Sequence, residues 1–518
     1  MATPWILAID LGTSGPKVAA VSPEGEVLAT AFAPVATEHT PDGGALQDVN
    51  LWWAGLSASV RGFVSQGLVA ADTLSAVGIT GQWGSTVPVD SDGRAVGGVC
   101  YMWSDQRGAP WARKTVGGPV AGFAPDVVVR GLRISGVPPL PTGEGALGHE
   151  LFLRHRRPDD YARTRTLLEP VDYLGLRLTG RAAATPASSM LSGLVDARAG
   201  RPRSYAPELV RRYRRDPSRL PELLPTGSVL GPLTEDAARD LGVAAGAPVV
   251  CGLPDLHAAH IGSGAVEDYA GHVALSTTSW ISCQVPFKKL DILRYLGSIP
   301  GMDASSYLVM DDQASGGACL QWWRERGLGP GANGACASYE DLLTEAAQVP
   351  PGAQGVFFLP WLNGEHSPID DRDARGGFVN VSVHADRATM TRAVLEGVAY
   401  NSRWLMGAVE HFTKQPFRSL RILGGGAQSD LWCQVYADVL DRPIELVDDP
   451  MHAQLRGMAL YTRVALGQLS LRDAAALVPV ARRFEPDAGT RQTYDEMAKE
   501  FTRFHGSLKG AFHRLNGR

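Results

Sequence analysis

The sequence predicts an α/β protein made of two related units that face each other across a cleft. Three observations carry that expectation. Residues 6–17, Ile-Leu-Ala-Ile-Asp-Leu-Gly-Thr-Ser-Gly-Pro-Lys, run a short apolar strand into an acidic residue, a glycine-and-hydroxyl turn and a lysine. A second strand, Gly271–Leu275, runs into Ser276-Thr277-Thr278-Ser279-Trp280, a hydroxyl-rich turn of similar kind. Strand and helix signals alternate through the first half, the pattern of an α/β layer structure. A duplicated unit leaves a gap between its copies, a natural place for a ligand. The boundary is expected near residue 250, giving units of residues 1–250 and 251–518.

The elements follow in order. After the opening strand the chain resumes as a strand over residues 18–21, turns at Pro23-Glu24-Gly25 and returns through Val27 and Leu28. Leu51, Leu56, Val60, Phe63 and Val64 recur at helical spacing. A strand over residues 76–80 ends at Gly81-Gln82-Trp83-Gly84. A hairpin about Ser91-Asp92-Gly93 then delivers Tyr101-Met102-Trp103-Ser104-Asp105, and a helix near residues 170–178 closes on Thr179-Gly180. The second half starts at Ala247-Pro248-Val249-Val250-Cys251, a buried-strand signal leading to Gly252-Leu253-Pro254-Asp255. Met390, Val394, Val398, Leu405 and Val409 lie near one face of a long helix. Gly424-Gly425-Gly426-Ala427 separates the strand Leu420–Leu423 from a helix carrying Leu431, Trp432, Val435, Tyr436, Val439 and Leu440.

Composition narrows the function classes. A 518-residue chain with 44% hydrophobic and 20% charged residues is long and apolar enough for two cores. A net charge of −5 argues against a surface that coats nucleic acid. The basic run over residues 201–219 holds few aromatics and reads as a solvated helix face and loop. Six cysteines without Cys-x-x-Cys spacing favour reduced core thiols in a cytoplasmic protein. The start lacks a basic segment and Asp10 interrupts its apolar stretch, so no signal peptide is expected. Residues 273–287 are too few and too rich in Ser and Thr to span a bilayer. No Gly-x-Ser-x-Gly elbow and no Gly-x-Gly-x-x-Gly after the first strand is present, which argues against a hydrolase and a Rossmann unit. The expectation is a soluble protein with a small-molecule ligand and neither nucleic-acid nor membrane partner.

Several residues carry candidate chemistry. Asp10 is suited to orient a hydrated Mg²⁺, Thr13 and Ser14 offer hydroxyl and backbone N–H donors, and Lys17 neutralises phosphate charge. The same residues also suit an ordinary edge hairpin with an acidic turn. Asp255 follows an apolar strand, where a rigid element can aim it as a general base; an aspartate there equally caps a helix over residues 256–261. His257 and His260 lie close enough to suggest a metal site with Asp255, but histidines near helices more often pack. Gly425 and Gly426 permit close approach to an anion at a helix N-terminus, or serve only a tight strand-to-helix turn.

Taken together, these motifs resemble the FGGY carbohydrate kinases, most closely the xylulokinase-like branch, from Ile6 to about Gly467. The segments that carry the resemblance are residues 10–17, 78–82, 103–107, 178–180, 252–255, 360–365, 373–376 and 424–427. The resemblance implies two actin-like, ribonuclease H-like ATPase domains closing on ATP and a sugar or polyol, and is compatible with a homodimer. It implies Asp255 as catalytic base, with the attacking oxygen in line with the γ-phosphate. It places Thr13, Ser14, Lys17 and Thr277 at the phosphates, Gly317 and Gln321 beside the nucleotide, and Gly425, Gly426 and Asp430 at the adenosine. Asp10 would hold Mg²⁺ through water, while Gln82, Trp83, Asp105 and Asp255 meet the acceptor. The implied reaction is ATP-dependent phosphorylation of a sugar hydroxyl, most simply of a ketopentose such as D-xylulose. Another ketose, a polyol, or a catalytically weak sensor role are the alternatives. Three departures stand out. Ser276 replaces a glycine before Thr277, His366 replaces an arginine after Glu365, and Gln82-Trp83-Gly84 matches neither the xylulokinase nor the glycerol kinase pattern. Trp83 either stacks on an apolar sugar face or fills the space left by Gly84.

Overall fold

The computed structural model describes residues 3–517 apart from positions 121, 292–293, 295, 304 and 332–333. The first sheet grows from the opening hairpin. β1 (Trp5–Gly12) is almost wholly buried and runs antiparallel to β2 (Gly15–Val21), with Gly12 opposite Gly15 and only Thr13 and Ser14 in the turn. Glycine is required at position 15: its φ is +122°, and a Cβ there would lie 2.2 Å from the Ala33 carbonyl oxygen. β3 (Val27–Phe32) extends the sheet antiparallel to β2. On the other side β4 (Leu74–Gly81) pairs parallel with β1. β4 is itself flanked in parallel by β6 (Pro248–Val250) and β7 (Leu253–Pro254), and β5 (Val229–Pro232) closes the edge antiparallel to β6. Helix α1 (Val49–Ser65), capped where the Asp48 side chain accepts from the Asn50 N–H, buries Trp52, Leu56, Val60 and Phe63 over this sheet. Leu51 departs from the expected apolar face and is exposed.

The second sheet repeats the plan. β8 (Gly271–Leu275) and β9 (Ser279–Val285) form its hairpin, with Ser276, Thr277 and Thr278 at the tip. Ser279 and Trp280, expected in the turn, already belong to the strand. β10 (Leu290–Asp291), β11 (Leu296–Pro300) and β12 (Tyr307–Gln313) continue antiparallel beyond β9. β13 (Leu420–Leu423) and β14 (Ile444–Val447) add in parallel on the β8 side, and β15 (Val480–Phe484) closes antiparallel. In both sheets, therefore, a hairpin is followed by two parallel strands and an antiparallel edge. Three helices cover one face: α4 (Arg387–Thr413), α5 (Asp430–Leu440) and α7 (Arg491–Asn516). Their core includes Trp361, Tyr400, Tyr436 and Phe501.

A separate core lies between the sheets. It joins Ile6, Ala8 and Leu253 of the first sheet to Leu423 and Val447 of the second, through α3 (Asp255–Ser263) and α6 (Ala453–Ala465). The helices meet at glycines. A Cβ on Gly262 would lie 1.9 Å from the Ala453 carbonyl oxygen, and one on Gly457 2.1 Å from that of Ala258. The basic run over residues 201–219 departs from the solvated face expected. Arg215 is buried against Glu150, and Arg212 pairs with Asp126. A buried cation needs a carboxylate partner, which the local sequence does not disclose. Among the described residues, no helix is long and apolar enough to cross a membrane.

The α3–α6 contact is testable. Gly457→Ala should destabilise the protein by about 1–3 kcal/mol, the cost of overpacking a filled core. Urea unfolding measures this; an unchanged midpoint would show that the backbones can separate without penalty.

Candidate active site

The carboxyl ends of three neighbouring parallel strands converge on two acids. Asp10 sits opposite Lys17 across the hairpin and opposite Thr80 across the β1–β4 pair. Leu253 and Pro254 pair with Thr80 and Gly81, so Asp255 leaves the sheet one residue further on. Gln82 is tied into the same row by its N–H, which donates to the Leu11 carbonyl at 2.8 Å. Crevices at the carboxyl ends of parallel strands are the usual ligand sites of α/β sheets.

Asp255 is the first residue of α3, with Pro254 in the cap position. Burial pushes its carboxyl up to about 7; the negative Asp10 adds to this, while the Leu256 N–H at 2.8 Å and Lys17 oppose it. Asp10 is 4% exposed and is likewise raised by burial, with Lys17 pulling it back. Among the described residues no cation forms an ion pair with either acid. A buried carboxyl beside a half-buried one, with Lys17 acting on both but in ion-pair contact with neither, is suited to bind a positive charge or a proton.

The first hairpin tip lies three residues beyond Asp10. Thr13, Ser14 and Lys17 are exposed. The first tip is fixed from behind: the Gln47 amide donates to the Thr13 carbonyl at 2.6 Å, and the Val35 N–H to that of Ser14 at 2.9 Å. Thr277 is exposed at the second tip. There the Gly317 N–H donates to the Ser276 carbonyl at 2.6 Å, and the Gly316 N–H to that of Thr277 at 2.9 Å. A Cβ on Gly317 would meet the Ser276 carbonyl oxygen at 2.7 Å, so glycine at 317 lets the two segments touch. Ser276 has room because its neighbour is Gly424, whose φ is +96° and whose Cβ would lie 2.7 Å from the Ser276 Oγ.

The remaining nucleotide-side candidates are arranged unevenly. Gly425 and Gly426 begin a short 3₁₀ turn after β13, and Gly426 lies so close to Leu275 that a Cβ would come within 2.5 Å. Packing alone therefore accounts for a glycine at 426. Gln321 is exposed and its amide donates to Glu325 at 3.2 Å. Asp430 is exposed and paired with Arg482. Neither of these two side chains reaches the acid pair through a contact in the structure.

On the acceptor side, Gln82 is buried, and its amide nitrogen lacks a partner while its oxygen accepts from the Ser85 hydroxyl at 3.2 Å. An orphaned buried donor is costly unless a ligand meets it. The Trp83 indole N–H donates to the Ser188 carbonyl at 2.9 Å, and its ring stands edge-on to His257 with centroids 6.3 Å apart. Its other surroundings form a largely apolar cavity of about 460 Å³ between the two halves, lined also by Phe123, Leu132, Leu191, Ile299 and Met310. Asp105 is fully buried and engaged by the Arg107 guanidinium at 2.6 Å and the Ala45 N–H at 3.0 Å. It is held as a fixed acceptor group, with Arg107 over the Phe152 ring. His257 Nε2 lies 3.0 Å from the Pro300 carbonyl, and both rings of His260 and His272 are buried.

Two groups, His149 and Glu169, escaped the sequence reading, and Glu365 entered it only as a motif residue without a role. His149 is buried with Nδ1 2.9 Å from Thr86, and burial lowers it to about 4, so it is a neutral imidazole. Glu365 accepts from the Ala314 and His366 N–H groups and from Asn401; burial raises it to about 8. Glu169 accepts from the Gly84 N–H at 3.0 Å. Only the Glu169-Pro170 pair at a helix start hinted at the last of these. His366 pairs with Asp312 at 3.0 Å, giving the imidazole a local partner. Asp371, Asp373 and His513 have metal-ligand spacing. The Asp371 carboxylate is already met by His505, His513 and the N–H groups of residues 373 and 374, which clamp α7 to this loop.

Residues 5–117 match the profile of the FGGY family of carbohydrate kinases, N-terminal domain, and residues 288–466 that of its C-terminal domain. A xylulose kinase of Lactococcus lactis is 25% identical over 445 residues, covering 84% of this chain and 83% of the relative. An autoinducer-2 kinase of an Enterobacter species is 28% identical over 391 residues, covering 70% and 69%. The crystal structure of xylulose kinase from Rhodospirillum rubrum superposes with a TM-score of 0.82 at 25% identity, covering 98% of this chain and 100% of that one. Fold and matches together define a sugar kinase, a phosphotransferase with an alcohol acceptor, built as two actin-like ATPase domains. The chain belongs to the FGGY family of carbohydrate kinases. Membership makes ATP the phosphoryl donor and a small-molecule sugar the acceptor class.

The raised Asp255 carboxyl has a consequence for stability. Its folded value of about 7 exceeds the ordinary 3.8, so the folded state holds an extra proton between those values and stability falls as pH rises across that window. Asp255→Asn should therefore be more stable than the unsubstituted protein at about pH 8, with the gap vanishing below 3.8. Identical pH profiles of urea unfolding would contradict this.

Proposed function

We propose that the protein phosphorylates a ketopentose, D-xylulose being the acceptor first to test, with Asp255 as general base. The carrying observation is the placement of Asp255 and Asp10 at neighbouring strand ends beside the first hairpin tip. In this reading the acceptor hydroxyl lies against Asp255. Its oxygen bonds to the γ-phosphorus as the bond to the β-γ bridging oxygen breaks, ADP leaves, and the hydroxyl proton passes to Asp255. Thr13, Ser14, Lys17 and Thr277 hold the phosphates from the two tips, and Gly425 and Gly426 let the adenosine approach β13. Gln321 and Asp430 join them once the cleft closes and their present partners, Glu325 and Arg482, give way.

The uncompensated acid pair suits Mg²⁺, held by Asp10 largely through water. The ion supplies charge neutralisation at the phosphate oxygens. Gln82, with its orphaned amide, Trp83 and Asp105 bind the acceptor. The domain boundary falls near residue 250, where β6 ends and the chain enters the cleft. A second acceptor class, another ketose or a polyol, is favoured by one observation: Trp83 faces an apolar cavity.

The test is ADP release over D-xylulose, other ketoses and polyols, with Asp255→Asn in parallel. We expect D-xylulose-dependent turnover, reduced about 10²–10⁴-fold in the variant. In the unsubstituted protein kcat/KM should rise with pH through about 7 as Asp255 loses its proton. Sugar-dependent turnover that survives the substitution would remove Asp255 from its role; turnover of other acceptors alone would remove D-xylulose.

A further inference from the structure

We propose that Glu169 is the positioning residue that sets the substrate loop Gln82-Trp83-Gly84 and thereby the affinity for the acceptor. This inference rests on the assignment of that loop to the acceptor site. Glu169 follows the strand segment Thr166–Leu168 and immediately precedes α2 (Pro170–Thr179), which packs on the first sheet. Its carboxyl is buried, and Oε2 accepts the Gly84 N–H at 3.0 Å. Gly84 has φ +83°, so the loop turns sharply there and its N–H points away from any ladder partner. The indole of Trp83 is held at its other end by the Ser188 carbonyl at 2.9 Å. The Trp83 segment is thus tied at two points, by backbone at 84 and by side chain at 83, and Glu169 supplies the first tie.

The choice of a carboxyl here is costly. The charged group that acts on Glu169 is another buried acid, Asp172, whose Oδ2 has no partner. Burial and that neighbour push Glu169 well above the usual range. Burying an acid with no counter-cation destabilises a fold, whereas an apolar residue at the helix entry would fill the same space without that cost. What the carboxyl contributes is an acceptor aimed at the Gly84 N–H. Without it that donor is left buried and unmet, and the loop relaxes.

Three variants separate positioning from packing. Glu169→Gln keeps an acceptor oxygen in place, Glu169→Asp withdraws it by one methylene, and Glu169→Leu removes it. With D-xylulose and ATP as probes, Glu169→Leu and Glu169→Asp should raise KM for D-xylulose about tenfold or more, with kcat and KM for ATP within about twofold. Glu169→Gln should restore the unsubstituted values. Hydrogen–deuterium exchange over residues 78–90 should quicken in the Leu and Asp variants and not in the Gln variant. If Glu169→Leu does not fold, Glu169→Asp decides alone. The proposal is overturned if exchange and KM are unchanged in the Asp variant, if the Gln variant is as impaired as the Leu variant, or if kcat and both KM values shift together. Should the unsubstituted protein not turn over D-xylulose, the named acceptor fails, and the exchange measurement still decides the role of Glu169.

Discussion

The near-contact of α3 with α6 is the constraint on which the rest of the structure depends. Gly262 and Gly457 allow two backbones to approach where a single methyl group would strike a carbonyl oxygen. That closeness brings the first sheet and the second sheet onto one shared core. It also fixes where α3 begins, and so where Asp255 stands relative to Asp10. A third glycine belongs to the same arrangement: a Cβ on Gly78 in β4 would lie 2.2 Å from the hydroxyl of Thr462 in α6. Three small residues from three elements thus determine the geometry of a site that none of them touches.

The site built on this base is poor in favourable contacts of its own. Asp10, Asp255, Glu169 and Asp172 are acids raised by burial, and none has an ion-pair partner among the described residues. Gln82 retains an orphaned amide and Thr80 an orphaned hydroxyl. Other buried charges are paired, as with Arg215 and Glu150 or Arg392 and Glu396, although both Asp311 oxygens also lack a partner. A cluster of unsatisfied groups at the carboxyl ends of parallel strands marks a candidate functional site. Among the acceptor-side candidates, Asp105 is held in an ion pair, with Arg107.

Much of this was legible in the residues. The hairpins at 6–17 and 271–280 disclosed themselves by apolar runs ending in hydroxyl turns, and the strand before Asp255 by its burial pattern. The parallel alignment of β1 and β7 with β4 was not legible, because pairing of Thr80 with both Asp10 and Leu253 joins segments far apart in the chain. Leu51 and Arg215 show the same limit in opposite directions. Helical spacing put an exposed leucine on the buried face, and local charge density put a buried arginine on the surface. Glu169 escaped because its meaning lies in the Gly84 N–H, 85 positions away. Asp430 and Gln321 were legible only by family resemblance, and their partners Arg482 and Glu325 are local.

The ties across the cleft differ in kind between its base and its mouth. At its base the two halves share a dry core and tight glycine contacts, and Arg456 reaches from α6 to the Gly25 carbonyl at 3.0 Å. At the mouth the ties are of another kind. Lys288 donates to the Arg133 and Ile134 carbonyls at the end of the helix Pro125–Ile134, and Arg372 approaches Glu144 at 3.5 Å with its side chain half exposed. Exposed ion pairs contribute little and exchange readily with water. Lysine on a helix C-terminus gains from the dipole yet keeps a flexible stem that follows a moving partner. The tight packing thus sits at the α3–α6 core, while the ties at the mouth are exposed or carried on flexible stems and cost little to rearrange.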